Sequence, residues 1–303
     1  MPRLATPTDL GDILQLSARK TRLTWPSQDP RETAHALLAD LTAGAAWPGQ
    51  YDILVSEQAH GISGFLILKK QVVRSITGDR ESVILDCFAQ QDSEQERLLQ
   101  FAAETARGYD SQFLTTELSP DNERDLELLV SLGFVLESYR ISVATGNCRI
   151  PANSPYSVRP VVPDDAFLIA VLNSTMLSHT LSAGREYDIS DLTFRSMGTI
   201  MEQVNRQDPH STGLALIQDQ AMVGHLLLDL NERIGYIADL ALAQEHWGGT
   251  AVRHLMRAGS SLLFQRNIPL FVGDVSASNR RALVVAQRAL GFSVECQRYG
   301  LTL

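Results

Sequence analysis

In the second half of the chain a strand-like run from Tyr236 to Leu242 leads into His246-Trp247-Gly248-Gly249-Thr250-Ala251, and a helical pattern continues from Val252. The first N–H groups of a helix have no partner inside the helix and converge on one point. Glycine at the turn lets the main chain approach whatever lies there. Strand, glycine turn and helix start together describe an anion site, for which a diphosphate is a natural guest. The competing reading is a plain flexible turn, because a glycine pair alone is a weak signal. His246 falls within this turn, either as a donor to phosphate or as a turn residue only. His225, His246 and His254 are scattered and lack metal-ligand spacing.

The elements that must position this turn occur twice. Arg3-Leu4-Ala5-Thr6-Pro7-Thr8-Asp9 leads into the helical pattern Leu10, Ile13, Leu14, Leu16; 156 residues later Arg159-Pro160-Val161-Val162-Pro163-Asp164-Asp165 leads into Phe167, Leu168, Ala170, Val171, Leu172. An acidic residue at such a helix start accepts from free backbone N–H groups. Two apolar runs joined by a polar turn, Ile53 to Leu68 and Leu214 to Leu228, read as β-hairpins. Their aligned glycines, Gly64 and Gly224, are 160 residues apart and mark a bulge or a close main-chain approach. Asn122 and Asn279 each cap a helix that ends at Leu-Gly-Phe, Leu132-Gly133-Phe134 and Leu290-Gly291-Phe292, and a strand follows each. The turn formers from Gly146 to Pro155 mark a linker. The division is therefore 1–145, a linker at 146–156, and 157–303.

The first copy lacks the glycine turn. No glycine lies between Gly78 and Gly108, and the comparable stretch carries Asp92, Glu94 and Glu96, which would repel a phosphate. Ser93 followed by Glu96 reads as a capping box.

The order of elements in each half, with the Asn…Leu-Gly-Phe ending and His246-Trp247-Gly248-Gly249-Thr250-Ala251 in the place of an Arg/Gln-x-x-Gly-x-Gly/Ala loop, resembles the GCN5-related N-acetyltransferase (GNAT) family. The resemblance spans nearly the whole chain at the level of fold. At the motif it is partial: the family's proline is absent and His246 replaces Arg or Gln. It implies an α/β protein of two tandem GNAT (acyl-CoA N-acyltransferase) domains, each a mixed, mostly antiparallel sheet flanked by helices, with a degenerate first copy. It also implies acetyl-CoA as co-substrate. The diphosphate would lie against His246, Trp247, Gly248, Gly249, Thr250, Ala251 and Val252, the pantetheine arm along Leu240, Ala241 and Leu242, and Asn279 would contact the cofactor or serve only as a helix cap.

By the same resemblance a backbone N–H near Leu240 to Leu242 polarises the acetyl carbonyl, and Asp239 is the general base, the alternative being a solvated or ion-paired carboxylate. Tyr236 either lines the substrate pocket or packs as a core aromatic. The family's tyrosine acid is missing, since no tyrosine lies between Asn279 and Phe292; Tyr299 is a weak substitute. Glu186, Asp188 and Asp191 would draw a cationic amine or simply face water. The implied activity is acetyl transfer to a small amine, and the rival is a non-catalytic acyl-CoA sensor or interaction scaffold.

Composition narrows the partners. The net charge is −9, from 35 acidic and 26 basic side chains, which argues against a general grip on nucleic acid or an anionic membrane. Cys87, Cys148 and Cys296 are odd in number and widely spaced, so neither a disulfide framework nor a zinc site is indicated. The expected setting is the cytoplasm.

Overall fold

The computed structural model describes residues 2–19, 25–28, 33–44, 49–74, 77–146, 154–180, 189–206, 210–247 and 250–303. They divide into two compact units, one of Met1–Leu136 with Cys296–Leu303, the other of Glu137–Glu295.

The first unit contains β1 (Pro2–Leu4), α1 (Leu10–Arg19), α2 (Ala34–Thr42), β2 (Tyr51–Gln58), β3 (Gly61–Val73), β4 (Arg80–Ala89), α3 (Asp92–Gly108), β5 (Phe113–Leu118) and α4 (Glu123–Ser131). The second is built from β6 (Val135–Ala144), β7 (Ser157–Pro160), α5 (Ala166–Thr180), α6 (Ile189–Arg206), β8 (Ser211–Gln218), β9 (Ala221–Leu230), β10 (Ile234–Leu242), α7 (Thr250–Gln265), β11 (Leu270–Ser276) and α8 (Arg280–Leu290). The last strand is β12 (Ser293–Thr302).

The strand order is β1-β2-β3-β4-β5-β12 in the first unit and β7-β8-β9-β10-β11-β6 in the second. All neighbours are antiparallel except β4 with β5 and β10 with β11. The two sheets thus repeat one topology, and they are mixed and mostly antiparallel.

The expected division at 146–156 needs correction. β12 pairs with β5 over Gln297–Thr302, and β6 pairs with β11 over Ser138–Ala144. Each copy's closing strand therefore completes the sheet of the other unit. The repeat predicts a strand at both places but not its partner, because pairing is non-local. Of the expected linker, residues 147–153 lie outside the described residues; Gly146 N–H donates to Ser260 Oγ of α7 at 3.1 Å.

Period-2 alternation sends side chains to two layers in each unit. In the first, Ile53, Val55, Phe65 and Ile67 pack with α1 and α2, and Leu54, Leu66 and Leu68 pack with α3 and α4. In the second, Leu214, Leu216, Leu226 and Leu228 pack with α7 and α8, while Leu227 packs with Ile169 of α5 and Ile200 of α6.

The helix starts are built alike. Asp9 accepts from Thr6 N–H at 2.7 Å and from both terminal nitrogens of Arg3 at 2.7 and 2.9 Å. Asp165 accepts from Val162 N–H at 2.9 Å and from Arg159 at 2.6 and 2.7 Å. The arginine hydrogen bonds hold both carboxyls well below the usual carboxylate range. No helix among the described residues is long and apolar enough to cross a membrane.

Candidate functional site

In the second unit β10 and β11 pair only over Ile234–Tyr236 and Leu270–Val272. Beyond Tyr236, β10 keeps β9 on one side, and its other edge opens. A register shift between Ile237 and Asp239 inserts one extra residue there. Such bulges re-aim side chains beside active sites. Here Ala238 packs with the Leu227 cluster, on the α5/α6 side of the sheet, and Asp239 is opposite Leu227 itself.

The open edge offers main-chain groups. Ala243 N–H donates to Val223 C=O at 2.9 Å. On a two-residue alternation the groups of Asp239 and Ala241 then face β9, and those of Leu240 and Leu242 face the opening. Trp247 Nε1–H donates to Leu242 C=O at 2.8 Å and so closes off one of them. The strand can approach β9 this tightly at its far end because Gly224 has no side chain: a Cβ there would lie 2.4 Å from Leu242 Cδ2 and 2.9 Å from Ala241 O.

Asp239 is 8% exposed and His225 of β9 is wholly buried. His225 Nε2 lies 2.5 Å from Asp239 Oδ2, and His225 Nδ1 has no hydrogen-bond partner among the described residues. Tyr236, on the same strand, donates from its hydroxyl to Asp274 Oδ2 at 2.7 Å, and Arg140 Nε donates to Asp274 Oδ1 at 3.1 Å. Tyr236 is thus not a core aromatic but part of a polar row. Arg140 reaches this row on β6 and was not suggested by the sequence. Its only signal there is a charge in the strand that follows Leu132-Gly133-Phe134.

Beyond β10 the chain makes a single 3-10 turn, Gln244–His246, and α7 begins at Thr250. Gly248 and Gly249 lie outside the described residues. The first turn of α7 holds no acidic residue; Thr250 is exposed, Ala251 buried and Val252 half-buried. His246 Nδ1 is 3.1 Å from the Tyr156 hydroxyl, with the two rings edge to face. His254 packs inside the helix, its Nδ1 3.0 Å from Ser154 Oγ. Burial pushes the His254 imidazole below its ordinary range, and Arg257 adds to this. Asn279 acts as the cap of α8, its Oδ1 accepting from Ala282 N–H at 3.0 Å. Tyr299 belongs to the first unit and is buried there. Glu186 and Asp188 lie outside the described residues, as does the side chain of Asp191.

The matching corner of the first unit is filled by its own side chains. α3 starts at Asp92 with Gln91 as its cap, so the expected Ser93–Glu96 capping box is not formed: both residues already lie inside the helix. Glu94 turns inward and is buried. It accepts from Ser63 Oγ at 2.8 Å and from Gln58 Nε2. Arg124 Nε of α4 reaches Asp92 Oδ1 at 2.8 Å, and Gln95 Nε2 reaches Asp125 Oδ1 at 2.9 Å. The gap between β4 and β5 is a cavity of about 50 Å³ lined by Asp86, Cys87, Gln95, Glu117 and Asp125 among others. That is room for a few waters.

Residues 178–292 match the family model "Acetyltransferase (GNAT) family". Among solved structures, a GCN5-related N-acetyltransferase from Sphaerobacter thermophilus has a TM-score of 0.60 at 15% identity, covering 100% of this chain and 95% of its own. A tandem GNAT protein from the clavulanic acid biosynthesis pathway has a TM-score of 0.50 at 14% identity, covering 100% and 98%. A GCN5-related glucosamine N-acetyltransferase region of a fungal multi-domain GH3 β-N-acetylglucosaminidase has a TM-score of 0.58 at 13% identity, covering 99% of this chain and 38% of that one. No curated protein matches in sequence. At these identities the likeness is one of fold, and the fold is that of tandem GNAT acyltransferases.

Proposed function

We propose that this tandem GNAT protein is an acetyl-CoA-dependent N-acetyltransferase that acts on a small amine in its second unit. One contrast carries the reading. The first turn of α7 carries no acidic side chain and the neighbouring edge of β10 offers main-chain groups, whereas the start of α3 is occupied by Glu94 and bridged by Arg124 and Asp92. The free N–H groups of α7 suit a diphosphate. The outward main-chain groups of Leu240 suit the amide and thioester groups of the rest of acetyl-CoA.

Acetyl-CoA supplies the thioester carbonyl. Leu240 N–H donates to the oxygen on which negative charge develops. Asp239 takes a proton from the incoming ammonium, leaving a neutral amine as nucleophile. With no tyrosine in α8 the departing thiolate takes its proton from water. That missing acid is also the observation in favour of a second reading, a non-catalytic acyl-CoA sensor.

Thermal melting with acetyl-CoA tests the proposal. At a hundredfold excess over Kd, binding adds about 2.7 kcal/mol, a rise of roughly 5–10 °C for a unit of this size. Thr250→Glu, at an exposed helix start that tolerates a carboxylate, removes the rise, and Asp92→Asn leaves it intact. No rise with either acetyl-CoA or CoA would sink both readings; a rise without thiol release across an amine panel leaves the sensor.

A further inference from the structure

We infer that His225 is a positioning residue for Asp239: it donates Nε2–H to Oδ2 and leaves Oδ1 as the oxygen that receives the amine proton. The inference rests on the reading of Asp239 as general base and adds a residue to it.

The argument begins with burial. His225 has no exposed surface, so its ring cannot touch a substrate amine, whereas Asp239 retains some exposure beside the open strand edge. Three protonation states of the pair differ in what they leave unsatisfied. An imidazolium would bury a second N–H, at Nδ1, with no acceptor for it among the described residues. A protonated Asp239 donating to Nε2 would place the ring hydrogen on that same unpartnered Nδ1. A neutral ring with its hydrogen on Nε2 leaves only a bare lone pair at Nδ1, and it meets the carboxylate at 2.5 Å with a charge-assisted bond. Unsatisfied buried donors are the costly case, so the third state is the resting one.

With Oδ2 committed to His225, Oδ1 is the carboxylate oxygen left for the substrate. In the transfer step the ammonium N–H bond breaks and an Oδ1–H bond forms. The positive charge leaves the amine, and Asp239 goes from −1 to neutral. The hydrogen bond from His225 is kept throughout.

The repeat supplies an internal comparison. Leu227 is opposite Asp239, and its counterpart Ile67 is opposite Asp86, so the carboxylate is present in both units at the same bulge. His225, however, corresponds to Phe65, which is fully buried. The ring-shaped space is common to both sheets, and the donor belongs only to the unit whose helix start is open. A residue needed for packing alone would not have to carry a donor there.

Two measurements on the full chain test this. Ring ¹⁵N spectra of histidine-labelled protein at neutral pH, with His225 assigned by the signal lost in His225→Gln, are expected to show a neutral ring protonated at Nε2. An imidazolium or an Nδ1–H tautomer overturns the inference, whatever the activity. In assays with acetyl-CoA and an amine panel, His225→Phe, which reproduces the ring of Phe65, is expected to lower kcat about tenfold to a hundredfold with KM for acetyl-CoA unchanged. His225→Gln, whose Nε2 can donate to the same oxygen, recovers most of the loss. An unchanged kcat in His225→Phe, or no recovery in a folded His225→Gln, refutes the role. Should the wild type acetylate no amine, the transferase reading fails separately and the tautomer alone decides whether His225 holds Asp239.

Discussion

Asp239 and Asp165 are both depleted of water and both held by a nitrogen donor, yet their consequences differ. For Asp239 the consequence is chemical. Asp239→Asn keeps the shape and an acceptor for His225 but cannot take a proton, so acetyl transfer falls about 10²-fold or more, while the acetyl-CoA melting shift persists. Loss of the shift would place Asp239 in binding instead. For Asp165 the consequence is stability. Its pKa is depressed by the Arg159 hydrogen bonds first and by the Val162 N–H as well, with burial opposing. A depressed carboxyl stabilises the fold above its unfolded value near 3.9, and that contribution is lost as pH falls toward the folded value. The Arg159 side chain is 42% exposed, so solvent screens the ion pair, and the main effect is that of a lost helix-start hydrogen bond, about 0.5–2 kcal/mol. Asp165→Ala is expected to melt lower than wild type at pH 7, and the difference narrows as melts are repeated between pH 5 and 2. A gap that widens with acid would contradict the assignment.

At the level of elements, the hairpins and the strands that follow them set the opening. Gly224 and Gly64 sit at matching places, each immediately preceded by a register shift in its hairpin. A Cβ at Gly64 would lie 2.9 Å from Ala89 Cβ and 3.0 Å from Phe88 O. At Gly224 the approach is closer, and one of the atoms met is the Ala241 carbonyl oxygen, which cannot rotate away. Gly224→Ala is therefore expected to destabilise by about 1–3 kcal/mol and to weaken acetyl-CoA binding by displacing Leu240 to Leu242. A melt and a titration equal to wild type would show that the strand end has slack. These glycines were legible in the sequence, as were Asn122, Asn279, Asp9 and Asp165, because caps and close approaches depend on residues a few positions apart. The His225–Asp239 pair was not legible as a pair. Its contact depends on one extra residue between Ile237 and Asp239, and a one-residue slip changes which side chains share a face. The Trp247 bond to Leu242 C=O was hidden too, since indole donors reveal nothing in a sequence about which carbonyl they reach.

For the molecule as a whole, the repeat gave two copies but not their closing strands. The exchange has an energetic signature centred on Arg298. Glu81 is only 1% exposed, and two guanidinium groups hold it: Arg74 Nε at 2.8 Å and Arg298 Nη2 at 2.5 Å. Arg298 also donates to Thr115 Oγ1 of β5 at 3.1 Å. Next to it Tyr299 is buried in the cluster formed with α3 and α4. Removing residues 296–303 would take one of two guanidinium partners from a buried carboxylate and would uncover the edge of β5 from Phe113 to Leu118. A domain is stable by only about 5–15 kcal/mol, so the first unit should open. The division at 146–156 would instead place the damage in the second unit, whose sequence those residues end. Hydrogen exchange on the chain truncated after Glu295 separates the two: protection is expected to fall in β5, α3 and α4 and to persist in β9, β10 and α7. The opposite pattern would mean that β12 belongs with its own half, and the exchanged-strand arrangement would have to be abandoned.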